Sequence, residues 1–352
     1  MKTEHILVIR FSALGDVAMV VPVISSLARQ YPDVRITMLS RSFARPLFEG
    51  LAPNVSFMEA DLTGEYNGVR GLNSLYRRLV AKRFTAIADL HDVLRSKFLR
   101  MRFDLARYRV AHINKHRQGK RQLVSARGKV LRQQPTSIEN YAQVFEKLGY
   151  PVKMDFTSLS ITPSREVLQL MPVNHRPAFN VGLAPFAAHE GKVYPLRLTE
   201  TVIRSLGDRH EDLRVFLFGG GDKEMAVFHE WAAKYPCCVV VGDHLKGLQQ
   251  ELALMSLLDV MVSMDSANMH LASLVALPVV SVWGATHPYA GFMGYNQKPE
   301  NAVQLDLPCR PCSIFGNKPC QRGDLACLNN ISPDLIIKKV ENILLTPKTK
   351  TL

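Results

Sequence analysis

The sequence predicts an α/β protein made of two Rossmann-like, doubly wound parallel sheets. Three observations carry this. Apolar β-branched runs alternate with helical segments through both halves of the chain. The runs are apolar throughout, as strands covered by helices on both faces need to be. The alternation halts at the proline-containing stretch Thr162–Pro177 and then restarts. The expected division is therefore a first domain over residues 1–170 and a second over 171–330, with a last helical stretch in 331–352. Two such domains create a cleft, a common seat for a nucleotide-bearing ligand.

In chain order, Ile6–Arg10 is a buried strand, followed by the turn FSALGD. Helical periodicity then covers Val17–Tyr31 despite Pro22, and Arg35–Leu39 and Val55–Glu59 are strands around a short helix, Phe43–Leu51. Leu72–Lys82 is helical, Thr85–Leu90 a fourth strand, His91–Leu99 the start of a helix, Arg109–Ile113 a strand, and Ile138–Leu148 a helix closed by Gly149. After the break come strands at Asn180–Ala184, Arg214–Phe218 and Cys238–Val241, with helices at Leu198–Leu206, Met225–Lys234 and Leu248–Leu258. The stretch from Asp259 to Pro288 supplies a strand at Val260–Val262, a helix at His270–Ala276 broken by Pro278, and a strand at Val279–Trp283. Asp265, Ser266 and Asn268 are its capping residues. Helix amides left open at the carboxyl end of a strand are a seat for phosphate; an ordinary capped core helix is the other reading.

At 352 residues, 47% hydrophobic and 21% charged, the chain has the composition of a soluble globular protein. No run of eighteen apolar residues marks a membrane span, and MKTEHILVIRF enters a strand without a signal-peptide pattern, so a cytoplasmic location is expected. Charge is distributed unevenly. Residues 1–170 hold 27 Lys and Arg against 14 Asp and Glu, which equals the +13 of the whole chain. Arg95–Arg132 alone has 13 basic residues and one acid, Asp104. Such a block attracts an anionic membrane surface, a phosphorylated glycolipid or nucleic acid, unless it is only a solvated face. Its aromatics are few (Phe98, Phe103, Tyr108), too few for a base-stacking platform, so nucleic acid is not the expected partner.

The glycine run GGGDKE after Phe218 lacks the G-x-G-x-x-G spacing, and no G-x-x-x-x-G-K-[ST] occurs, which argues against dinucleotide and P-loop chemistry. Three polar loops stand at strand ends instead: RFSALGD at 10–16, PFAAHEGKVYP at 185–195 and MDSANMH at 264–270. With DLHDVLRS at 89–96 and WGATHP at 283–288, this ordered set resembles glycosyltransferase family 9, the ADP-heptose:lipopolysaccharide heptosyltransferases, over essentially the whole chain.

The resemblance implies a GT-B architecture, with the acceptor on the first domain and the nucleotide-sugar on the second. The helix Asp334–Leu344 would pack back on the first domain. It implies inverting transfer of heptose, or a related sugar, from ADP-heptose to a lipopolysaccharide-core or other lipid-linked oligosaccharide acceptor. Neither a metal nor another cofactor is expected, and peripheral contact with the inner-membrane surface is. Asp16 matches the catalytic aspartate; one carboxylate must take the acceptor proton in such a transfer. N-capping of the Val17 helix is the alternative for it. Lys192 stands where the family holds the donor diphosphate, and its charge would neutralise the leaving ADP in place of a metal. Asp265, Ser266, Ala267 and His270 match the phosphate loop, and Ser12 and Gly15 are also assigned to the donor. His91 and Arg95 are assigned to the acceptor, with Arg100, Arg117 and Arg121 as candidates for the same surface.

Departures from the family pattern are Ala187 and Ala188, where hydroxyl side chains are common, and Ser266 and Ala267 for a frequent threonine and glycine. The ribose-contacting acid can be Asp222 or Glu224. Cys309, Cys312, Cys320 and Cys327 form C-x2-C-x7-C-x6-C, which can hold a structural zinc or stand as free thiols, since comparable segments recur in the family without a required metal. A different class of function, a non-catalytic basic module binding acidic glycolipid or nucleic acid, would use the same basic block; the paired loops with Asp16 and Lys192 favour the enzyme.

Overall fold

The computed structural model describes residues 4–171 and 179–345. The chain divides into two compact units. The first comprises residues 1–116 and 135–157, the second 117–134 and 158–352.

The first unit is a five-stranded parallel sheet. Its strands are β1 (His5–Ile9), β2 (Arg35–Ser40), β3 (Val55–Glu59), β4 (Ala86–Asp89) and β5 (Arg109–His112), in the order β3-β2-β1-β4-β5. Ile9 lies level with Leu39 and Asp89, so the loops leaving β1 and β4 emerge side by side where the winding reverses. The second unit is a six-stranded parallel sheet of β6 (Phe179–Ala184), β7 (Leu213–Leu217), β8 (Cys238–Val240), β9 (Val260–Met264), β10 (Val279–Val282) and β11 (Ala302–Val303). Its order is β11-β10-β9-β6-β7-β8, and its reversal falls between β6 and β9. Strands β1 and β9 are buried at every position, as continuous apolar runs require.

Several expectations change. The helix expected over Val17–Tyr31 is two, Leu14–Ala18 and Val21–Gln30, because Pro22 has no N–H to continue the ladder and starts a new helix instead. The domain change falls at Thr157/Ser158 rather than in Thr162–Pro177. Part of that stretch is a helix, Arg165–Leu170, whose Val167 is fully buried and whose Leu170 carbonyl accepts from Arg214 at 2.8 Å; residues 172–178 lie outside those described.

Residues 117–134, expected in the first domain, belong to the second unit. Lys129 donates to the Pro308 and Pro311 carbonyls, the Gln134 amide donates to Tyr289, and Lys120 sits 4.2 Å from the Phe292 ring centre. That segment has six basic residues and no acid, so the positive charge is shared: 20 basic against 13 acidic residues in the first unit, 24 against 18 in the second. The last helix, Pro333–Leu344, was expected on the first domain and instead belongs to the second unit. Ile336, Ile337 and Val340 are buried in the core of that unit with Val202 and Val262, and Glu341 pairs with Arg209 at 3.3 Å. Among the described residues, no helix is long and apolar enough to cross a membrane.

Candidate active site

The first unit gathers its polar groups on the loops leaving β1 and β4. Arg10, at the end of β1, is buried and donates to the Ser12 and Leu90 carbonyls at 2.8 and 2.7 Å, tying the two loops together. Its guanidinium pairs with Asp16 Oδ2 at 2.6 Å, with side-chain exposures of 8% for Arg10 and 33% for Asp16. The same oxygen accepts from the Ala13 amide at 3.4 Å, and among the described residues Oδ1 has no hydrogen-bond partner. Asp16 is the third residue of the Leu14–Ala18 helix and not its N-cap, which is Ala13. Its side chain accepts the Ala13 amide, so the helix-capping alternative is met from the third position rather than the cap itself. Buried Tyr141 lies under Arg10, 5.8 Å from its guanidinium, with its hydroxyl 3.4 Å from the Asp16 carbonyl. Burial pushes that hydroxyl well above the usual phenol range, so it stays a neutral donor.

His91 is buried beside this pair. Its Nδ1 accepts the Phe11 amide at 3.3 Å, which puts the imidazole proton on Nε2. Burial, with the Arg10 and Lys115 charges nearby, pushes the ring down to about 3, so it is neutral at physiological pH. Asp89 organises the loop: its Oδ1 accepts the His91 and Asp92 amides at 2.9 Å, and its Oδ2 pairs with Arg100 at 3.2 Å. Arg100 is thereby an internal strut rather than a free surface group. Arg95 is exposed at the start of the Leu94–Leu105 helix without an ion pair among the described residues, whereas Arg117 and Arg121 belong to the other unit.

The second unit repeats the arrangement between the loops after β6 and β9. Lys192 Nζ pairs with Asp265 Oδ2 at 2.9 Å, with exposures of 14% and 4%. The Lys192 loop is clamped from behind. The Ala285 amide donates to the Gly191 carbonyl at 2.8 Å, and the Lys192 stem passes so close to Gly316 (φ +75°) that a Cβ there would lie 2.6 Å from Lys192 Cγ. The 283–286 loop is pinned in turn by buried Arg310, which donates to the carbonyls of Trp283, Gly284, Leu305 and Thr286. Neither Arg310 nor Asp89 was singled out from sequence. An arginine between two cysteines and an aspartate ending a strand resemble surface and turn residues until their partners are known.

Ser266 occupies the N-cap position of the Ala267–Leu274 helix, one turn earlier than expected, and its hydroxyl faces Ser263 Oγ at 3.2 Å rather than capping. Ala267 is the first residue of the helix, and His270 is buried on its first turn. Ser12, on the loop after β1, and Gly15, in the Leu14–Ala18 helix, belong to the first unit, whereas the other donor candidates belong to the second. Glu224 accepts the Gly220 amide at 2.9 Å and closes its own turn, while Asp222 is the exposed first residue of the Asp222–Lys234 helix. The four cysteines Cys309, Cys312, Cys320 and Cys327 line one small pocket with Arg310, Lys318 and Arg322, yet among the described residues no three His, Cys, Asp or Glu side chains come together as metal ligands.

Residues 72–318, well over half the chain, match the family model of glycosyltransferase family 9 (heptosyltransferase). The chain belongs to this family. It is therefore a glycosyltransferase dependent on a nucleotide-sugar, as the paired switch-point loops suggested. Among curated relatives, it is 21% identical to the lipopolysaccharide core heptosyltransferase OpsX of Haemophilus influenzae over 81% of this chain and 80% of that protein. The fold matches the glycosyltransferase family 9 structure from Veillonella parvula with a TM-score of 0.76 at 18% identity, covering 99% of both chains. It matches the ADP-heptose LPS heptosyltransferase II of E. coli with a TM-score of 0.69 at 18% identity, covering 97% and 98%. The expected GT-B fold is thus observed.

Proposed function

We propose that this glycosyltransferase moves heptose from ADP-heptose to a lipopolysaccharide-core acceptor with inversion and without a metal ion. The observation that carries the reading is the Arg10–Asp16 pair, in which one carboxylate oxygen is held and the other is open. Asp16 takes the proton of the acceptor hydroxyl as that oxygen attacks the anomeric carbon. The new carbon–oxygen bond forms as the bond from the anomeric carbon to the diphosphate breaks, and ADP leaves with the electron pair. Lys192 exchanges Asp265 for the diphosphate and neutralises the growing charge. The Ser266 hydroxyl and the amides opening the Ala267–Leu274 helix take further phosphate oxygens. Asp265, being an anion, serves as the resting partner of Lys192 and shapes its loop; His270 supports the same turn, and Ser12 and Gly15 keep the sugar end of the donor close to the base.

On the acceptor side, His91 presents Nε2–H as a neutral donor, and Arg95 meets the core phosphates. A lipid-linked acceptor and a nucleotide donor suit a cytoplasmic protein working at the inner-membrane surface. The names of the relatives support ADP-heptose as donor and lipopolysaccharide core as acceptor. The deciding experiment is incubation with ADP-heptose and heptose-free lipopolysaccharide core, followed by mass and anomeric configuration of the product. Wild type should add one α-configured unit per site from a β-configured donor, and Asp16→Asn should add almost none. Retained configuration, or full turnover in Asp16→Asn with its fold intact, refutes the reading.

A further inference from the structure

The Leu94–Leu105 helix is apolar on two opposite faces. Ser96, Leu99 and Phe103 are buried against the first unit. Leu94, Met101 and Leu105 recur at i, i+7 and i+11, which at about 100° per residue forms one stripe on the far side. They are 86, 52 and 75% exposed, while Phe98, at i+4, is half-buried and packs against the unit's own core. The Gly68–Val80 helix packs alongside, its Tyr76 ring 5.0 Å from Phe103, and carries Val69, also largely exposed. A row of large apolar side chains on the outer face of one helix is not the scattered exposure of an ordinary surface.

The charge around the stripe is mostly positive, with one exposed acid, Asp104, at its edge beside Lys97. Arg95 and Arg102 border it on one flank and Lys97 on the other, while Arg70, Arg77 and Arg107 are exposed on the same two helices or at their ends. Lys97 pairs with Asp92 and Arg102 stacks over Tyr76 at 4.6 Å, but Arg70, Arg77, Arg95 and Arg107 have no ion pair among the described residues. A second copy of the chain would set these arginines against like charges. An anionic bilayer offers both complements at once, acyl chains for the leucines and phosphates for the guanidiniums.

We propose that this face docks the protein on an anionic phospholipid surface, with Leu94, Met101 and Leu105 entering the headgroup boundary and the flanking arginines meeting lipid phosphates. The same helix begins three residues after His91, so the docked protein would take its acceptor from the bilayer it rests on. The inference depends on the heptosyltransferase reading for that purpose only, and the docking is tested without turnover.

The full-length protein is sedimented with vesicles of phosphatidylcholine alone and of phosphatidylcholine with phosphatidylglycerol. Partitioning to the mixed vesicles is expected, with little to the neutral ones. Leu94→Asp/Leu105→Asp should lower it at least tenfold while leaving the melting temperature and ADP binding unchanged. Arg70→Glu and Arg107→Glu should each lower it about five-fold or more, since one basic residue near such a surface contributes about that factor. Equal partitioning of the leucine variant overturns the proposal. So does loss of binding on Arg121→Glu/Arg127→Glu alone, which would put the contact on the other unit. A leucine variant that turns an oligomer into a monomer while keeping vesicle binding would assign the face to a second copy instead. Transfer to a deacylated, water-soluble acceptor should survive the leucine substitutions; if wild type transfers sugar to no acceptor, the functional reading fails while the vesicle result still decides the docking.

Discussion

The two units each place a cation–aspartate pair at the point where the winding of the sheet reverses, but with opposite polarity. In the first unit the cation, Arg10, is the buried partner and the carboxylate of Asp16 opens to solvent. In the second the carboxylate of Asp265 is buried and the ammonium of Lys192 is the more open partner. The buried member is fixed by its surroundings: Arg10 by the Ser12 and Leu90 carbonyls, Asp265 by its place at the end of a fully buried strand. The open member is the one a substrate can reach. One fold thus presents an anion able to take a proton and a cation able to take a phosphate, by choosing which half of an ion pair to bury.

The largest effect that would break this comparison lies at Asp16. Asp16→Asn should lower turnover by about 10²–10⁴-fold, the usual worth of a general base, with donor affinity unchanged. Isothermal titration with ADP beside a steady-state assay separates the two effects.

Lys192→Ala should weaken ADP binding by about 10–150-fold, since a hydrogen bond to a charged group is worth about 1.5–3 kcal/mol. It should also destabilise the fold by about 3–5 kcal/mol, because it strands a buried carboxylate. Asp16→Asn, removing the open partner, should cost far less stability. If urea melts show the two variants equally stable, the difference in polarity has no energetic content. EDTA should leave wild-type turnover unchanged; its loss would mean that a metal rather than Lys192 carries the leaving charge.

His91 sharpens the contrast by pH. Its folded value lies near 3 and its unfolded value near 6.5, so the unfolded chain binds the extra proton across that window. Stability from this group is complete above about pH 6.5 and is lost as pH falls towards 3. The melting temperature of His91→Gln should therefore fall less steeply over this range than that of wild type; parallel curves would place the titration elsewhere, for instance at His287, which burial and Arg310 push down to about 4.

The smallest effect is expected at Arg95. Arg95→Ala should raise the acceptor KM up to about five-fold, as exposed charge pairs contribute about 0.2–1 kcal/mol. The effect should shrink at high salt. An unchanged KM at low salt would leave Arg95 out of acceptor binding.

What the sequence determined alone is what depends on near neighbours along the chain. Continuous apolar runs marked the strands, Pro278 marked a helix boundary, and the loops holding Asp16, Lys192 and Asp265 stood at strand ends, where parallel sheets leave amides and side chains open. Only the tertiary structure decided which partner each charge would find. Arg100 resembled a surface arginine until Asp89, eleven residues earlier, claimed it, and Arg310 reached back 24 to 27 residues to the 283–286 loop. The basic segment 117–134 and the final helix changed units for the same reason. The final helix buries its face in the second unit's core, and the basic segment bonds to loop residues such as Tyr289, Pro308 and Pro311. A local pattern shows that a face is apolar or charged without showing which distant residues will cover it.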